Sequence, residues 1–172
     1  MAVTYNMGDL FMSDHQSVNP ILSLYQRFQR YPFGSRLFSW VFSRKAPYFA
    51  NIKPLVTQLQ PNYCELKFNK RKAVQNHIGT VHVIAICNGM EMAMGGLAEA
   101  TIPKHLRWIP KGMQVDYTAK STGKHIRVVA ETSPEQWQPG DLPVKVTAYR
   151  DDGTVVVQGH ILLYVSEKPT KA

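Results

Sequence analysis

One apolar stretch limits what this chain can fold into. From Val83 to Leu97 the sequence reads Val-Ile-Ala-Ile-Cys-Asn-Gly-Met-Glu-Met-Ala-Met-Gly-Gly-Leu, without proline, after the approach Asn76-His77-Ile78-Gly79-Thr80-Val81-His82. With its approach the segment offers about five turns of helix at about 1.5 Å per residue. Ile84, Asn88, Glu91 and Gly95 recur at helical spacing and share one face. Ala85, Gly89, Ala93 and Gly96 form a second strip of small side chains. Glycine inside a helix costs roughly 1 kcal/mol relative to alanine, so Gly89, Gly95 and Gly96 predict close approach of another element. Glu91 is the one acid in the stretch, and desolvating a carboxylate is costly unless it is paired or hydrogen-bonded. The pattern predicts a central helix wrapped by a sheet, with one polar face opening on a cleft.

The remainder of the chain must supply that wrapping. At 172 residues and 44% apolar content there is enough chain for one domain with a proper core. No segment has the ~20 uninterrupted apolar residues of a membrane span, and Met1 to Gln16 lacks the pattern of a secretory signal. Cytoplasm is the expected compartment, with Cys64 and Cys87 as buried thiols. A net charge of +8 suits anionic partners such as nucleic acid, an acidic membrane or phosphorylated coenzyme A. The charges are scattered, with Lys70-Arg71-Lys72 the one run of three, and no nucleic-acid-binding cadence accompanies them.

Residues 1–16 read as a flexible lead-in. Asn19-Pro20 fits a cap and first-turn proline, with Ile21, Leu24, Tyr25 and Phe28 at helical spacing. Ser35 is the expected cap of a second helix, whose apolar face is Leu37, Phe38, Val41 and Phe42 and whose cations are Arg36, Arg44 and Lys45. These two helices make an extension over 17–45, and the domain proper spans 46–168. From Ile52 the period falls to two, predicting strands at Leu55–Gln60 and Tyr63–Phe68 around the turn Pro61-Asn62. Beyond the helix, Arg107–Lys120, His125–Thr132, Val144–Arg150 and Thr154–Val165 read as four antiparallel strands. Asp151-Asp152-Gly153 is the expected tight turn of the last hairpin, with positive φ values. Strand-helix-strand repeats are missing, which argues against a doubly wound parallel sheet.

The pattern Asn76-x-x-Gly79-x-x-His82 followed by Glu91 resembles the active-site signature of hotdog-fold acyl-CoA thioesterases of the phenylacetate-pathway type. The flanks Ala46-Pro47-Tyr48 and Arg107-Trp108-Ile109-Pro110 resemble an uncharacterised, thioesterase-like bacterial branch of that superfamily, over roughly residues 46–166. The resemblance implies an α+β hotdog fold: a curved antiparallel sheet around one long central helix, here with two extra N-terminal helices. It also implies a homodimer or dimer of dimers whose sheets join edge to edge, with active sites between subunits. Catalytic roles then fall to Glu91 as general base or nucleophile, and to His82 and Asn76 as holders of carbonyl or water. The Val83 N–H, at the positive end of the helix, would polarise the thioester carbonyl. Gly79 and Asn88 would lie along the substrate, and Lys120, Lys124 and Arg127 would meet the phosphates of coenzyme A, which enters as part of the substrate.

This chain departs from the family at Val83-Ile84, where such enzymes carry Gly-Gly. That departure motivates a second reading, a non-catalytic acyl or acyl-CoA binding protein on the same fold. A third class, a basic surface binder of nucleic acid or anionic lipid, rests on net charge and the Arg36–Lys45 helix; no nucleic acid partner and no stable membrane insertion are expected. His77 reads as structural or as a pocket wall, His15, His105, His125 and His160 carry no signal, no metal-ligand spacing is found, and a Gly-x-Ser-x-Gly elbow is missing.

Overall fold

The computed structural model describes residues 19–169, so the expected lead-in 1–16 lies outside the described residues. The elements, in chain order, are α1 (Pro20–Gln29), α2 (Gly34–Lys45), β1 (Leu55–Gln60), β2 (Tyr63–Asn69), α3 (Val83–Thr101), β3 (Leu106–Tyr117), β4 (His125–Glu131), β5 (Gly140–Arg150) and β6 (Val155–Glu167). Short 3-10 turns occupy Pro47–Ile52, Lys72–Val74 and Pro134–Gln136. The six strands form one sheet in the order β1-β2-β4-β5-β6-β3, antiparallel at every pairing. It curves around α3.

Alternation along the strands decides what faces the helix. Cys64, Leu66 and Phe68 of β2 and Ile126, Val128 and Ala130 of β4 are buried, and Val144, Val146 and Ala148 of β5 and Ile161, Leu163 and Val165 of β6 continue that surface. Against it α3 buries Ile86, Met90, Ala93 and Leu97. The small-residue strip does what its spacing predicts. A Cβ on Gly89 would stand 3.2 Å from Phe68 Cε1 and 3.4 Å from Val128 Cγ2, and one on Gly96 would stand 3.1 Å from Cys64 Sγ. Burial pushes the Cys64 thiol up to about 12, with the nearby Glu65 carboxylate adding to the effect.

The N-terminal helices close one edge of this sheet. Phe38 of α2 is buried between Tyr25 (ring centroids 5.0 Å apart, edge-on) and Phe42 (5.5 Å, stacked). Ser39 Oγ accepts the Val56 N–H of β1 at 2.7 Å, and Tyr25 Oη donates to the Thr57 carbonyl. β1 is thereby covered, whereas β3 at the opposite edge is mostly exposed along its length. The N-cap of α1 is Asn19, as expected, accepting the Ile21 N–H at 3.0 Å.

Two local expectations are corrected. Ser35 does not cap α2. The cap position is Phe33, in the left-handed region at φ 64° without a side-chain hydrogen bond, and Ser35 Oγ pairs with the Gln29 side chain instead. Gly34 forces this: a Cβ there would fall 1.9 Å from the Phe28 carbonyl oxygen, so the turn between the helices is closed around a bare α-carbon. In the last hairpin only Gly153 takes positive φ (87°); its N–H donates to the Arg150 carbonyl and the Arg150 N–H to Thr154. The three-residue turn is set by Asp152, whose carboxylate holds the Arg150 Nε and accepts the Thr154 N–H.

Candidate functional site

The amino end of α3 is built by residues 74–82. Asn76 Oδ1 accepts the N–H groups of Ile78 (3.2 Å) and Thr80 (3.1 Å), and its Nδ2 donates to Thr80 Oγ1 at 2.8 Å. Gly79 sits at φ 76°, where a Cβ would be strained. The turn returns the chain so that the His82 N–H reaches the Val74 carbonyl at 2.8 Å. His82 then caps α3, its Nδ1 accepting the Ile84 N–H at 3.1 Å. That bond engages Nδ1 as an acceptor and leaves Nε2 free on an exposed ring. The spacing Asn-x-x-Gly-x-x-His is thus, first, the architecture of a helix start. Asn76 spends its carboxamide on the loop.

Val83 is the first residue of α3. Its N–H makes no hydrogen bond among the described residues, while its side chain packs against the core. A β-branched residue stands where a glycine was expected, but it is turned inward and leaves the N–H open.

Glu91 is the principal correction. The sequence suggests a desolvated anion; its side chain is exposed, without an ion pair among the described residues, and opens into a cavity of about 310 Å³. The reason is geometric. The sheet and α2 enclose most of α3, but the stripe through Ile84, Glu91 and Glu99 is left uncovered. Met94, Gly95 and Glu99 form the helix side of the cavity, Phe42 and Lys45 of α2 with Ile21 of α1 form a second wall, Ala46 and Phe49 a third, and Trp108 and Pro110 of β3 the rim. The lining is chiefly apolar. Glu99 is held by Trp108, whose Nε1 donates to it at 3.1 Å. Lys45 makes no ion pair with Glu91 or Glu99 among the described residues.

The other predicted residues are distributed unevenly. Asn88 is buried at 6% exposure, its Nδ2 donating to the Tyr48 carbonyl at 3.1 Å and its Oδ1 left without a partner. It ties α3 to the 47–52 turn and is not among the residues lining the Glu91 cavity. Lys120 and Lys124 are exposed in the β3–β4 loop, which is fastened to the helix start by the Val81 N–H and the Ser121 carbonyl at 3.0 Å. Arg127 lies on the sheet face away from α3, paired with Glu65 at 3.0 Å and stacked over Tyr149 at 4.1 Å. The structure therefore does not bring Arg127 to the cavity. Residue-by-residue reading missed the α2 wall and Glu99; the quoted flanks around Ala46 and Trp108–Pro110 were the signal, since both line the cavity. Among the described residues no three His, Cys, Asp or Glu side chains gather as a metal-ligand set, and no helix is long and apolar enough to cross a membrane.

The profile of the family described as domain of unknown function (DUF4442) matches residues 34–165. The chain belongs to that family. A crystal structure of the structural-genomics protein APC5556 is similar at 44% identity and TM-score 0.76, covering 86% of this chain and 99% of that one. A thioesterase family protein from Silicibacter pomeroyi is similar at 16% identity and TM-score 0.66, covering 80% and 100%. A thioesterase from Staphylococcus aureus is similar at 10% identity and TM-score 0.62, covering 70% and 99%. No curated protein matches the chain. These likenesses show the fold: this DUF4442 chain is a hotdog domain, a curved antiparallel sheet around a central helix with added N-terminal helices.

Proposed function

We propose that the chain is an acyl-CoA thioesterase in which Glu91 activates water against the thioester carbonyl. The observation that carries this reading is a carboxylate without an ion pair among the described residues, opening into an apolar cavity of about 310 Å³, a site able to take an acyl chain and place its carbonyl beside a base. The names of the similar thioesterases support the reaction class. In the step proposed, Glu91 takes a proton from water as the oxygen adds to the carbonyl carbon. The oxyanion is stabilised by a backbone N–H, and collapse expels the coenzyme A thiolate, which receives the proton from Glu91. The same carboxylate could instead attack directly, with water releasing the acyl group afterwards.

The N–H and the carboxylate cannot meet within one subunit. Val83 and Glu91 are eight residues apart on one helix, about 12 Å along its axis, whereas both must lie within about 3 Å of the reacting group. A second copy resolves this. β3 is a twelve-residue edge strand, long and exposed, and such an edge is a template for another strand. Ile84, Ile109 and Tyr117 are exposed at 53%, 59% and 63% on the elements that pairing along β3 would approach. We therefore place each active site between subunits of a homodimer, with Val83 from one and Glu91 from the other. Lys120 and Lys124, near the helix start, are the candidates for coenzyme A phosphates; His82 Nε2 is the free side-chain group beside the Val83 N–H.

The test is turnover on a panel of acyl-CoA chain lengths, followed by mass detection of the free acid, with Glu91→Gln as the control. Hydrolysis that Glu91→Gln abolishes while the fold persists supports the proposal. Saturable acyl-CoA binding without turnover would replace it with the non-catalytic binding reading, which the Val83-Ile84 departure favours.

A further inference from the structure

The α1–α2 hairpin presents a surface that the cavity does not use. Leu24, Phe28 and Tyr31 of the first helix and its turn, with Leu37 of the second, line an open apolar groove of about 380 Å³ beside Arg27. Along α2 the groove continues into a face in helical register: Phe33, Arg36 with Leu37, Trp40, then Arg44. Phe33 is 74% exposed, Tyr31 63%, Trp40 53% and Leu37 48%. Arg44 stacks 3.8 Å over the Trp40 ring and Arg36 5.4 Å over Phe33. Phe33 holds φ 64° at the tip of the hairpin, a conformation that a bulky residue rarely adopts. That strain is spent on a ring pointing into solvent.

Charge narrows the occupant. The sequence holds no Asp or Glu between Asp14 and Glu65, yet carries Arg27, Arg30, Arg36, Arg44, Lys45 and Lys53. None of these forms a salt bridge among the described residues. A second copy of the same face would repel this one. Phosphates of a nucleic acid would satisfy the arginines and its bases would stack on the aromatic rings, but the aliphatic groove lined by Leu24 and Leu37 would be left without a counterpart. A surface of anionic lipid satisfies both: aromatic and aliphatic groups enter the headgroup boundary while arginines stay at phosphate level.

We propose that the α1–α2 hairpin docks the protein on the surface of an anionic phospholipid bilayer, with Tyr31, Phe33, Leu37 and Trp40 as the inserted groups. The opposite faces of the same two helices supply Ile21 and Phe42 to the Glu91 cavity, so the docking face is separate from that site. The docking itself does not depend on what the cavity catalyses.

Co-sedimentation of the full chain with vesicles decides the matter, comparing phosphatidylcholine alone with phosphatidylcholine containing one third phosphatidylglycerol. Partition onto the anionic vesicles, weakened by salt and much lower on neutral ones, is expected. Phe33→Gly is the informative variant, because glycine relieves the positive φ and preserves folding while removing the ring. It should lower partition several-fold with no loss of thermal stability, and Trp40→Ala should do the same. Paired reversal, Arg36→Glu with Arg44→Glu, should lower it about tenfold or more. No partition onto anionic vesicles would overturn the proposal. So would unchanged partition of both aromatic variants, which would leave only diffuse charge, or binding to RNA that exceeds vesicle binding and ignores those variants.

Discussion

Val83→Pro removes one hydrogen-bond donor from the proposed site and little else. Proline is favoured at the first position of a helix, where the N–H has no internal partner. Here the N–H of Val83 has no partner among the described residues, so none of their bonds is lost. The residue before proline must be extended, and His82 already is, at φ −66° and ψ 133°. The exchange of a half-buried valine for proline should therefore move stability by no more than about 1 kcal/mol, in either direction. If this N–H receives the oxyanion, its loss should cost about 3–4 kcal/mol of transition-state stabilisation, a fall of roughly 10²–10³ in kcat. The assay is release of coenzyme A thiol, with far-ultraviolet circular dichroism and thermal unfolding on the same samples. Val83→Ala keeps the N–H and should stay within a few-fold of the parent. Turnover retained by Val83→Pro but lost in Val83→Ala would refute the reasoning, since the side chain and not the backbone would then matter.

Other outcomes follow from the fold. Asn76→Ala deletes three hydrogen bonds of the loop before α3 and should destabilise by about 1–3 kcal/mol, read by denaturant unfolding. Gly34→Ala drives a Cβ into the Phe28 carbonyl and should cost more than about 2 kcal/mol, opening the α1–α2 turn. With the Cys64 thiol raised to about 12 by burial, the folded chain keeps a proton that the unfolded chain releases near its ordinary value. That contribution is complete below about pH 9 and declines above it, by at most about 1.4 kcal/mol per pH unit, and Cys64→Ala should flatten the decline in unfolding titrations. In the native state a thiol reagent should label the half-buried Cys87 first and Cys64 only on unfolding, as mass spectrometry of the intact chain would record.

Local chemistry made much of this readable in advance. The start of α3 at Val83 could be placed because the apolar, proline-free run begins there after a polar, glycine-containing approach; the left-handed Gly79 and the capping His82 are findings of the structure. Gly89 and Gly96 announced the sheet against them, since only close approach repays glycine in a helix. What could not be read depended on long-range packing. Glu91 looked buried because its neighbours are apolar, yet it lies on the stripe that no strand covers. Asn76 resembles a catalytic amide and is engaged by its own turn. Arg127 alternates to the outer face of β4, where Glu65 takes it. The wall formed by Phe42 and Lys45 depends on how α2 crosses α3, and helical periodicity does not encode that crossing.

In the proposed enzyme each active site is shared between two copies, one giving the Val83 N–H and the other the Glu91 carboxylate. Mixing Val83→Pro with Glu91→Gln under conditions of subunit exchange tests it directly. Each variant alone should be inactive, and the mixture should recover roughly a quarter of parental acyl-CoA turnover, because half the dimers are mixed and each holds one intact site. A mixture as inactive as its two components, with exchange verified, would contradict the account.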